Sequence, residues 1–150
     1  MNPRGYTLME TVVVLLVLSL AAAVAAPSIG RGLDAIRLRS EAAGVASFLR
    51  VARERAIAER RAVAVALDGD GRALVLSAAG AADGGGRSAV RPLSPLVHVA
   101  ADPPQARTVT FFAQGLSSGG RFLIEAHEAV AYVVTVDPLT GRVSTRRSAS

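Results

Sequence analysis

Reactive side chains are few in this sequence, and each group has a spacing that can be compared with a known chemistry. Gly115-Leu116-Ser117-Ser118-Gly119 has the G-x-S-x-G spacing of a hydrolase nucleophile elbow. An elbow needs a helix directly after the serine and a large parallel sheet beneath it. Here a strand-like run, Phe122 to Ala126, follows, and the chain is too small for such a sheet, so a glycine-rich hairpin loop is the reading. His127-Glu128 has no second histidine four residues after the first, as a zincin would require. His98 stands alone between valines and reads as an ordinary strand residue. Asp68 and Asp70 have calcium-loop spacing, but the later ligands and the closing glutamate are missing, which leaves a turn with solvated carboxylates. There are no cysteines, so disulfides and thiolate-built zinc or iron-sulfur sites are excluded. No phosphate-binding loop and no catalytic set emerges. The sequence points away from an enzyme and implies neither metal nor cofactor.

The carboxylate whose position calls for chemistry is Glu10. It follows Arg4-Gly5-Tyr6-Thr7-Leu8-Met9 and opens a run that is apolar to Ala26 apart from Thr11 and Ser19. Leu8 to Ala26 is about the ~20 residues that a helix needs to cross a bilayer. An ionisable residue in such a span is expensive, and the default reading is a function and a partner. Gly5, which has no side chain, ends the short polar lead. Arg4 favours a cytoplasmic lead. Ala21-Ala22-Ala23 and Ala25-Ala26-Pro27 would instead suit a signal peptidase, but the lead is very short and a glutamate opens the apolar run.

The elements that must position these residues follow in order. Residues 1–5 form a leader and 6–27 a hydrophobic segment. Residues 28–61 carry an amphipathic helix, with Leu38, Ala42, Val45, Leu49, Ala52 and Ala56 as its stripe, widened by Phe48 and Ile57. Its other face holds Arg50, Arg53, Glu54, Glu59 and Arg60. From Ala62 the pattern alternates. Val63 to Leu67, the turn Asp68-Gly69-Asp70-Gly71 and Leu74 to Leu76 predict a hairpin. Ala79 to Ser88 predicts a loop, and further strands are expected at 90–93, 96–99, 108–112, 122–126, 131–136 and 142–145, ending in a polar tail over 146–150. The expected class is α+β: a long amino-terminal helix, transmembrane in its first half and amphipathic in its second, packed on an antiparallel β-sheet domain over residues 62–150.

The set Gly5, Tyr6 and Glu10 resembles the processing site of type IV pilins and type II secretion pseudopilins. Tyr6 departs slightly from the usual phenylalanine, and Pro27 sits where many family members have a proline. The resemblance implies that prepilin peptidase cuts after Gly5 and methylates the new amino terminus on Tyr6. It also implies that Glu10 is neutralised in a filament by such an amine on a neighbouring subunit. Phe111-Phe112-Ala113-Gln114-Gly115, Gly119-Gly120-Arg121-Phe122 and Val134 to Val143 are similar to the carboxyl-terminal pattern of GspH/FimT-type minor pseudopilins. That likeness implies a pilin-like structural subunit of a type II secretion pseudopilus. It would be anchored once in the inner membrane with its domain in the periplasm. Its partners would be the peptidase, other pseudopilins or pilins, the inner-membrane assembly platform and membrane lipid.

The alternative is a FimT-like minor pilin of a type IV pilus that binds DNA in uptake. There Arg142, Arg146 and Arg147 would touch phosphates. The formal net charge is +5, and every basic residue is arginine. Because that excess is spread along the chain, with these three as the late cluster, a solubilising surface is the simpler reading of the charge.

Overall fold

A computed structural model describes residues 8–79, 87–125 and 131–148; within these, the side chains of 24–34, 87–88 and 131 are not described. Gly5 and Tyr6 therefore lie outside the described residues, as do His127-Glu128 and most of the expected 79–88 loop. The chain divides into two compact units, one up to Ile36 and one from Arg37. Helix α1 spans Leu8–Ala58 and belongs in part to each.

In the first unit, side chains from Leu8 to Leu20 are exposed, including Leu8, Val12, Leu16 and Leu20. Among the described residues, no helix is long and apolar enough to cross a membrane.

The second unit holds the core. Leu38, Ala42, Val45, Leu49, Ala52 and Ala56, the stripe read from the sequence, are buried, and Ala46 joins them. Four of these positions are alanine. Ile57, expected to widen the stripe, is instead 41% exposed. The helix stops at Ala58, earlier than the expected 61. Arg60 takes φ 51, its amide donates to the Ile57 carbonyl, and the Arg61 amide donates to the Ala56 carbonyl. These are the two bonds of a Schellman cap, with arginine where glycine is usual.

Eight strands follow: β1 Val63–Leu67, β2 Ala73–Ala78, β3 Arg87–Pro92, β4 His98–Ala101, β5 Thr108–Phe111, β6 Gly120–Glu125, β7 Ala131–Val136 and β8 Val143–Ser148. They form two antiparallel four-stranded sheets, ordered β3-β2-β1-β5 and β4-β6-β7-β8, rather than one sheet. The predicted β1–β2 hairpin forms, with Leu67 opposite Leu74. Alternate residues of both sheets enter one core with the helix: Val63 and Val65 from β1, Leu74 and Leu76 from β2, Phe111 from β5, Phe122 and Ile124 from β6, and Val134 and Val136 from β7. The expected frayed tail is corrected. Arg146, Arg147 and Ser148 pair with β7, with Arg146 opposite Val133 and Arg147 opposite Tyr132. The expected strand at 142–145 is thus the first half of β8; an edge strand can expose both faces, so no apolar alternation marked its continuation to Ser148.

Candidate functional site

The β5–β6 and β7–β8 turns meet at the carboxyl-terminal end of the helix, and Ser117 is where they are joined. Its amide donates to the Pro138 carbonyl and its hydroxyl donates to the Asp137 carbonyl at 3.0 Å. The same oxygen accepts the Gly119 amide at 3.0 Å. Ser118 closes the other side: its amide donates to the Thr110 carbonyl, and its Oγ accepts the Thr110 amide. Ser117 is buried and its hydroxyl both donates to and accepts from backbone, so its place in the fold is to tie the two turns. A strand, β6, follows it, as the hairpin-loop reading requires.

Two glycines allow this junction to close. Gly115 and Gly141 are buried at φ 85 and φ 62. A Cβ on Gly141 would overlap the Gly115 carbonyl oxygen and lie 2.8 Å from Arg53 Nε. Arg53, reaching across from the helix, donates from Nε to that same carbonyl at 3.1 Å. Asp137 ties the following turn by accepting the Leu139 and Thr140 amides and the Thr140 hydroxyl. These bonds, led by those from Thr140, hold its carboxyl below the usual aspartate range. Just past the end of the helix, hydrogen bonds from Arg55 and then Arg61 lower the Glu59 carboxyl in the same way.

Beside the junction lies a cleft of about 600 Å³, lined by Arg50, Arg53, Glu54, Thr140, Gly141, Arg142 and Val143. Among the described residues neither Arg50 nor Arg142 makes an ion pair. The three arginines grouped by sequence do not line one cleft. Arg142 lines this cleft, whereas Arg146 and Arg147 line another with Arg121, Val133, Thr135 and Ser144. Arg50, Arg53 and Arg121 were missed as members of these groups. The i, i+3 spacing of Arg50 and Arg53 put them on one helix face, but nothing local links them to Gly115 or Arg142. Glu10 is exposed in the first turn of α1, in the unit that does not contain these clefts. Asp68 and Asp70 are exposed in the β1–β2 turn, where Arg107 donates to the Asp68 and Gly69 carbonyls. His98 is exposed on β4. Among the described residues, no His, Asp or Glu cluster could hold a metal ion.

Residues 41–140 match the GspH family, type II transport protein GspH. The chain belongs to the GspH family. It is 31% identical over 144 residues to type II secretion system protein H of Xanthomonas campestris pv. campestris, covering 93% of this chain and 81% of that protein. Its fold is similar to the Pseudomonas aeruginosa type IV minor pilin FimU (TM-score 0.66, 18% identity, 75% of this chain and 90% of FimU). It is also similar to the Vibrio cholerae type II secretion minor pseudopilin EpsH (TM-score 0.57, 17% identity, 75% of this chain and 97% of EpsH). As a GspH-family chain it is a minor pseudopilin of type II secretion, a structural subunit that assembles with other pseudopilins in a periplasmic filament. The pilin-like α+β class expected from the sequence is the observed one: a helix packed on antiparallel sheet.

Proposed function

We infer that this pseudopilin is matured by prepilin peptidase between Gly5 and Tyr6, is held in the inner membrane by its first apolar segment, and enters the filament through Glu10. The observation that carries the reading is the glycine, aromatic and glutamate set ahead of an apolar run, in a chain of the GspH family. Cleavage places a methylated amine on Tyr6, about one helical turn from Glu10. Such an amine on a neighbouring subunit can neutralise Glu10 in an apolar surrounding, where an unpaired carboxylate is costly. The first apolar segment anchors the chain before assembly and packs among its neighbours afterwards, with the assembly platform as the site of transfer. The relative at 31% identity is a secretion protein, whereas the FimU likeness is one of fold at 18% identity, so the secretion reading takes precedence over DNA uptake.

Glu10 variants test the assembly step. Glu10→Ala and Glu10→Gln should insert and be cut after Gly5 but co-purify poorly with the other filament subunits. Normal co-purification of both variants would discard the pairing. Loss of cleavage would assign Glu10 to peptidase recognition instead.

A further inference from the structure

We propose that the cleft between the Arg50–Glu54 face of the helix and the β7–β8 turn docks an acidic segment of a neighbouring filament subunit. This rests on the filament reading above. Arg50, Arg53 and Arg142 line the cleft together with the single carboxylate of Glu54. Arg53 has its Nε committed to the Gly115 carbonyl, whereas Arg50 and Arg142 have no ion-pair partner among the described residues. Unpaired guanidiniums that line one cleft select carboxylates or phosphates, with planar two-pronged hydrogen bonding.

Two observations favour a protein over a nucleic acid. Glu54 stands among the arginines, where it repels a chain of phosphates and accepts a basic side chain beside the acidic one. Leu139, in the turn that forms one wall, is 79% exposed, and Ile57 and Leu116 at the adjoining junction are 41% and 40% exposed. Exposed apolar side chains beside a charged cleft fit a protein segment that carries both kinds of side chain. The walls are also pre-set. Asp137 caps one turn and Arg53 fastens the other, so little order has to be gained on docking.

The test uses the full chain in cells that carry the secretion genes, with a photo-crosslinking residue at position 139 or, separately, at position 16 in the helix. Position 139 should capture another subunit through a peptide containing Asp or Glu. In Arg50→Glu/Arg142→Glu that product should fall by about tenfold or more, while the product from position 16 persists. Arg50→Lys/Arg142→Lys keeps the charge and should retain most of the position-139 product, which separates lost attraction from lost folding. No product from position 139, a product indifferent to charge reversal, or capture of nucleic acid there would overturn the docking proposal alone if position 16 still captures subunits. Failure at position 16 as well would overturn the filament reading and the docking proposal with it.

Discussion

Replacing Gly141 with alanine should be among the most damaging single-methyl changes in the domain. Gly141 is buried at φ 62, where an alanine costs about 1–2 kcal/mol. The added Cβ would also overlap the Gly115 carbonyl oxygen, a backbone atom that cannot rotate away. Moving Gly115 breaks its bond from the Arg53 guanidinium, worth about 1.5–3 kcal/mol for a charged donor. The smaller unfolded-state entropy of alanine returns about 0.4–1 kcal/mol. We expect a net loss of about 3 kcal/mol and a thermal midpoint lowered by about 10 °C. The assay is thermal unfolding of the detergent-solubilised chain followed by circular dichroism. Gly69→Ala is the control: nothing lies within 4 Å of its Cβ position, and it should change stability by less than about 0.5 kcal/mol. A Gly141→Ala midpoint within ~2 °C of the parent would refute the argument that these turns are locked by their glycines.

Ser117→Ala removes the side-chain bond that joins the two turns and the local bond from the Gly119 amide, and should cost about 1–3 kcal/mol in the same assay; an unchanged midpoint would contradict the linking role. Arg60→Gly should stabilise by about 0.5–1 kcal/mol, because it relieves a left-handed arginine at the helix cap, and a loss of stability would contradict the cap assignment. Asp137 has a lower pKa folded than unfolded, so its contribution is present above the usual aspartate value of about 4 and is lost as pH falls through the depressed folded value. Asp137→Asn should therefore flatten the acid limb of a stability-versus-pH curve, and an unaltered limb would contradict the assignment. The intact protein should retain little DNA at physiological salt, since Arg142 does not line one cleft with Arg146 and Arg147; tight binding with a steep salt dependence, lost on their replacement, would favour the uptake-pilus alternative.

The helix face from Leu38 to Ala56 was legible because burial on one side imposes a period that the residues must follow. β1, β5 and β7 were legible for the same reason, with a period of two. β8 was legible only in its first half, expected at 142–145; Arg146 to Ser148 read as tail because the side chains after Val143 are exposed up to Arg147 on both faces. The division into two sheets was hidden as well, since it depends on β5 turning at Ser117 into a strand of the other sheet. The G-x-S-x-G run was visible, but its role comes from Asp137 and Pro138, twenty residues away. The cleft was least legible: Arg53 and Gly115 are 62 positions apart, and only the packed core brings them together. By contrast, the amino-terminal set of Gly5, Tyr6 and Glu10 is contiguous chemistry and could be read without a fold.

The central claim is that this GspH-family chain is a processed filament subunit, and the mass of its amino-terminal peptide tests it most directly. The protein would be purified from membranes of cells that contain the peptidase. The account predicts a peptide beginning at Tyr6 with one methyl group on its amine. A peptide that still begins at Met1, or one produced by a cut near Ala26, would contradict it.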